Sequence, residues 1–181
     1  MLDIVSFIYD FVDEFRNATD DFYSAVVLFP GTHITDEEMF DKYFWQRLQA
    51  FADLDAINYA FDPRVDPDVH SPNFSFSLKE EAFYIIGGHP LSGRLARRFP
   101  VPGMVFNAHT QFEKLREENH YIKMQQVVRK RDVVYSGSVN PMLADFGEAS
   151  EVFQYSGRQY DKDWKCPLNI HHARPSNHSS A

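Results

Sequence analysis

The sequence has one cysteine, Cys166, so no disulfide closes within the chain. That scarcity points to a reducing, cytoplasmic setting. Long hydrophobic runs are missing: nothing approaches the ~18 consecutive apolar residues of a spanning helix, so no membrane partner is expected. The first residues, MLDIVSFIYDF, are apolar but hold Asp3 and Asp10 and lack a basic start, which makes a poor secretory signal. Positive charge is in deficit, with 18 Lys and Arg against 26 Asp and Glu and a formal net charge of −8. That balance opposes a nucleic-acid partner. Four signatures of common enzymes are also absent: the phosphate-binding loop, GxGxxG, GxSxG and paired CxxC.

What is present is a chain of 181 residues rich in large rings, with 17 Phe and 9 Tyr. These serve a core of bulky side chains or the lining of a flat ligand. One domain over residues 1–168 is expected. The polar stretch NIHHARPSNHSSA at 169–181 reads as a disordered tail.

Periodicity supplies the elements. Val5, Ile8, Val12 and Phe15 recur on one side of a helix over 2–15. SAVVLF at 24–29 reads as a short buried strand stopped by Pro30-Gly31. A helix follows, with Thr35 and Glu38 at capping-box spacing and Phe40, Tyr43, Phe44, Leu48 and Phe51 in helical period. The proline-rich stretch 61–74 is a loop. FSFSL at 74–78 and EAFYIIGG at 81–88 form a hairpin turning at Lys79-Glu80. A further strand at 103–107 leads into helical sequence from His109, broken near Asn119, and a short helix lies within 137–157. Strands that pair in sequence favour an antiparallel or mixed sheet. The fold class is α+β, with helices packed on one face of that sheet.

The stretch HPLSGRLARRF gathers Arg94, Arg97 and Arg98 beside His89 in an acidic chain. It is either an anion pocket, since guanidinium groups fork onto carboxylate or phosphate, or a solvated turn with surface ion pairs. Of eight histidines, His89 and His109 stand where elements begin and end, the positions at which sites are built. A structural, hydrogen-bonded role is the alternative for each. His33, His70, His120, His171, His172 and His178 read as surface or tail residues. Asp145, Glu148 and Glu151 cluster in ADFGEASE and could hold a cation. Cys166 in WKCP is an exposed thiol, an axial ligand or an inert residue.

The blocks FSFSL…EAFYIIGGHPLSGRLARRF, VFNAHTQFEKLR, RDVVYSGSVNPMLADFGEASEVFQYSGR and WKCPL resemble the YqcI/YcgG family over about residues 24–168. Some members are heme-dependent oxygenases that N-hydroxylate the guanidine group of arginine or arginine-like compounds. The resemblance therefore implies heme b, O2 as co-substrate, a small guanidine substrate and an external reductase. It implies His89 and His109 as candidate iron ligands, either of which could be axial; the strand end and glycines before His89 favour it as proximal with His109 as distal donor, and the reverse assignment stays open. Arg94, Arg97, Arg98, Asn107, Tyr155 and Arg158 would then hold the cofactor. His109, Glu148 and Glu151 would be catalytic, the acids orienting the guanidinium. Family members usually carry a preceding segment with a Phe-Pro-Cys stretch, and they read HP-x-S-S-R where this chain reads HPLSGR, with Gly93 in place of a serine. Both departures keep open the alternative of a cofactor-free or non-catalytic ligand-binding module.

Overall fold

The computed structural model describes residues 1–18, 22–117 and 120–172. Helix α1 (Leu2–Asn17) buries the stripe Val5, Ile8 and Val12. Helix α2 (Glu37–Asp55) buries Phe40, Phe44, Leu48 and Phe51 at the same kind of spacing. Its start differs from the expected capping box. Asp36 is the N-cap and accepts from the Met39 amide at 2.7 Å, while the Thr35 hydroxyl donates to Asp36. A carboxylate at the cap satisfies an orphan amide and also favours the positive end of the helix, so it displaces the threonine.

Four strands form one sheet in the order β1-β4-β3-β2, every pair antiparallel: β1 (Ser24–Leu28), β2 (Phe76–Leu78), β3 (Glu81–Gly88) and β4 (Gly103–Ala108). Of the two sheet types expected, this is the antiparallel one. Strand β1 is not buried as a whole. It lies at an edge, buries Ala25 and Val27, and leaves Val26 and Leu28 about half exposed at 49% each. The central strand β3 buries Phe83, Ile85 and Gly87 on one face and leaves Tyr84 and Ile86 half-buried on the other. On the first face Phe83, Ile85 and Phe106 meet α1 and α2 through the Phe11–Phe83 and Phe51–Phe106 ring contacts. Each fully buried phenylalanine removes enough apolar area to contribute on the order of 2–3 kcal/mol.

The β2–β3 hairpin turns at Lys79 and Glu80, with φ of 53° and 56°. Two consecutive left-handed residues make the turn that matches strand twist, a geometry that favours Asn-Gly. Here neither residue is glycine, and neighbours hold the turn. Asp55 accepts from the Lys79 amide at 2.9 Å, and Arg16 donates to the Lys79 and Glu80 carbonyls at 2.9 and 3.0 Å.

Strand β4 runs directly into α3 (His109–Glu117), and α4 spans Tyr121–Ser136. The helical sequence is thus interrupted between Glu117 and Tyr121; Asn119 itself lies outside the described residues. A four-residue helix, α5 (Val152–Tyr155), runs along the part of β3 that β2 is too short to cover. The expected tail is packed at its start. Asn169 exchanges two 2.8 Å hydrogen bonds with Gln49, and His172 is buried against Asp55 at 2.8 Å. Residues 173–181 lie outside the described set. Among the described residues no helix is long and apolar enough to cross a membrane.

Candidate functional site

The arginine cluster does not converge on one point. The Arg97 side chain runs into the protein, where its guanidinium donates to the carbonyls of Gly87 at 3.0 Å, Tyr155 at 3.1 Å and Gln154 at 2.9 Å. It is buried and closes the uncovered edge of β3. Burial opposes its charge, and the three carbonyl dipoles compensate. Arg94 pairs with Asp132 at 2.5 Å and also donates to the Ser138 carbonyl. Arg98 is exposed and donates to the Ser92 carbonyl at 2.7 Å. One arginine serves the fold, one ties α4 down, and one caps its own loop.

The two histidines are also apart. His89 follows the last residue of β3 and His109 the last residue of β4, and these strands are antiparallel. Gly88 pairs with Gly103 and Phe83 with Ala108, so the strand ends carrying the histidines are five residue steps apart, about 17 Å at the rise of a strand. Two groups serving one iron from opposite faces must approach within a few ångströms. His89 stacks on Phe40 at 4.4 Å, and its buried Nδ1 has no hydrogen-bond partner. Burial pulls its pKa below the ordinary imidazole value. The neighbouring Gly87 and Gly88 do bring rings close to the backbone, but the rings are protein. A Cβ on Gly87 would lie 2.7 Å from Phe44, and one on Gly88 would lie 2.6 Å from Phe99. The residues expected to hold heme therefore do not fit it in this arrangement, apart from the unpartnered His89 nitrogen. Among the described residues no group of three or more His, Cys, Asp or Glu is placed to hold a metal ion.

His109 and Glu151, in contrast, are brought together. His109 Nε2 lies 3.7 Å from Glu151 Oε1, and His109 Nδ1 lies 3.5 Å from Glu113. Glu151 Oε2 accepts from Ser75 Oγ and from the Tyr155 hydroxyl, each at 2.9 Å. Burial raises the Glu151 pKa to about 7 against those two donors. Burial also lowers that of His109, with Glu113 acting the other way. A buried carboxyl raised toward neutrality beside a buried imidazole held below its ordinary value is found in acid–base sites and in structural networks alike. Glu148 is not part of it: it is exposed and accepts from the Asp145 amide at 3.1 Å, while Asp145 pairs with Arg129 at 3.2 Å.

The remaining expected residues are dispersed. Asn107 bridges strands, accepting from Ser24 at 2.7 Å and donating to the Tyr84 carbonyl at 3.2 Å. Tyr155 is wholly buried, and its hydroxyl accepts from the Phe76 amide at 3.0 Å. Arg158 faces Asp41 at 3.5 Å. Burial pushes the Cys166 thiol up to about 12, which makes it a poor nucleophile and selects the inert reading.

Sequence reasoning missed the cleft of about 600 Å³ that opens between the end of α1, the 62–64 loop, the β2–β3 turn and the first turns of α3. Arg16, Arg64 and Lys114 bring positive charge to its wall; Asp62, Glu80 and Glu81 bring negative charge. Asp62 is buried and accepts from the Ala82 amide at 2.8 Å, and it pairs with Arg64 at 2.5 Å. Glu81, also buried, accepts from Thr110 at 2.7 Å and pairs with Arg64 at 3.1 Å. The one local signal was Asp62-Pro63-Arg64 followed by a strand that opens on a buried glutamate.

Fold and site define a small α+β protein with an antiparallel sheet, a buried glutamate–histidine pair and a charged cleft. The chain belongs to the YqcI/YcgG family, whose model matches residues 1–169. That match includes α1, ahead of the blocks that carried the resemblance. No curated protein and no solved structure matches the chain.

Proposed function

We propose that this chain is a ligand-binding member of its family that works without heme and takes a small zwitterion of the arginine type in the α1–α3 cleft. The observation that supports this reading is the cleft wall itself, where both signs of charge are built in and two of the acids are buried. A carboxylate suits the Arg16 and Lys114 side of the wall, where the two cations of α1 and α3 line the cleft. A guanidinium or ammonium suits Glu80, with Phe15 and Pro63 packing against the aliphatic stem. Arg64 already rests its guanidinium on Asp62 and Glu81, an internal precedent for the kind of cation this wall accepts. For heme-dependent N-hydroxylation, which some family members perform, one axial histidine would suffice, but the arginines expected to anchor the propionates are engaged elsewhere, Arg97 on three main-chain carbonyls and Arg94 on Asp132.

Two titrations test the proposal. Proton NMR of the protein with L-arginine, agmatine and acetate should give saturable shifts for L-arginine and weaker ones for the fragments that lack one of its charged groups. Hemin should give no stoichiometric Soret band that disappears in His89→Gln. A one-to-one Soret band dependent on His89 would restore the oxygenase reading, and no response to L-arginine up to about 10 mM would remove the ligand assignment.

A further inference from the structure

Helix α4 is turned the wrong way round for an ordinary amphipathic helix. Its inward side is polar: Gln125 donates to Asp145 at 2.5 Å, Arg129 pairs with the same carboxylate, Asp132 pairs with Arg94, and Ser136 accepts from the Ala96 amide at 3.1 Å. These four positions, 125, 129, 132 and 136, recur at helical spacing and define one face. No residue of α4 is buried. The opposite face is apolar and basic. Val134 is 81% exposed and Val127 44%, with Lys123 and Lys130 on the same stripe at i, i+4, i+7 and i+11. A single exposed valine is ordinary, but a stripe of this kind on a helix whose inward face is anchored through Gln125, Arg129, Asp132 and Ser136 marks a docking face.

The same spacing occurs with opposite charge on the solvent face of α1. Asp3, Phe7, Asp10 and Glu14 stand at i, i+4, i+7 and i+11, all exposed, with Phe7 at 47%. Laid side by side in parallel, the two 16-residue helices set Asp3 against Lys123, Phe7 against Val127 and Asp10 against Lys130. Glu14 then falls beside Val134. Within one chain α1 packs on α2 and β1, whereas α4 packs on α3 and the 95–97 turn.

We infer that a second copy of this chain is the occupant: α4 of one copy docks on α1 of the other. A twofold axis makes the contact reciprocal, so each dimer contains it twice. Matched spacing with opposite charge selects this occupant over an unrelated partner, and apolar residues at the centre exclude water from the pairs. The assignment is independent of the ligand in the cleft.

Sedimentation velocity on the full chain from about 1 to about 200 µM tests it. The wild type should show a monomer–dimer equilibrium that weakens with added salt. Asp10→Lys and Lys130→Glu should each weaken the dimer at least about fivefold, since like charges then face each other in both contacts. Both residues are exposed, so circular dichroism should be unchanged. An equimolar mixture of the two single variants should regain the wild-type dimer. In the mixed dimer one contact joins the two substituted positions, lysine against glutamate, and the other joins the native Asp10 and Lys130. A wild type that stays monomeric throughout would overturn the inference. So would a dimer indifferent to either reversal, or single variants whose mixture fails to recover.

Discussion

At the scale of single residues, Tyr155 and Glu151 show why a polar group belongs in an aromatic core. The Tyr155 hydroxyl takes the Phe76 amide and gives to Glu151, and the segment it anchors covers the free edge of β3. Tyr155→Phe leaves a buried amide without a partner and removes one donor from the carboxyl. Urea unfolding should therefore show a loss of about 1–3 kcal/mol, although the ring is retained. Glu151 makes a pH prediction. Its folded-state pKa is raised by burial from 4.5 to about 7, so the folded protein holds this proton more tightly than the unfolded chain. Its stabilising contribution is complete below 4.5 and is lost as pH rises through about 7. His109 acts the other way: its lowered value makes the folded state gain on the unfolded as pH rises up to the ordinary imidazole value of 6.5, and the gain is constant above it. Glu151→Gln removes the first effect, together with the carboxylate's pull on the His109 imidazole 3.7 Å away. At pH 8 the variant should exceed the wild type by about 2–3 kcal/mol, with the difference closing toward pH 4. A wild-type advantage at pH 8 would mean that the carboxylate is held charged by its neighbours.

At the scale of elements, local rules carried far and then stopped. The stripes of α1 and α2, the 74–88 hairpin and the strand leading into His109 were all legible, because each is written in one short window with one period. The cap of α2 shifted by one residue, since the Asp36 carboxylate takes the Met39 amide and the Thr35 hydroxyl is spent on Asp36 itself. The inside-out α4 was not legible: which face of a helix meets the body depends on Asp145, Arg94 and Ala96, all distant in sequence. The Lys79-Glu80 turn was located correctly, but its strain was not, because φ is a property of the closed hairpin. Glu80→Gly should relieve one left-handed residue without moving the strands. Thermal unfolding should show a gain of about 0.5–1 kcal/mol, and a loss would mean that the Glu80 side chain holds the turn.

At the scale of the whole molecule, the resemblance identified the family, and the positions in space then redistributed the residues it pointed to. His109, Glu151 and Tyr155 meet in one network; His89, Arg94, Arg98, Asn107, Glu148 and Arg158 do not join it. The cleft draws on residues from 15 to 114, so no window of sequence contains it. The proposed function puts binding in this cleft and not between the histidines, and one calorimetric experiment separates the two. L-arginine is titrated into the wild type, into Glu80→Lys on the exposed rim of the cleft, and into His89→Gln at the far end of β3. The predicted result is saturable heat in the wild type and in His89→Gln, weakened about tenfold or more in Glu80→Lys. Binding abolished by His89→Gln and untouched by Glu80→Lys would contradict it.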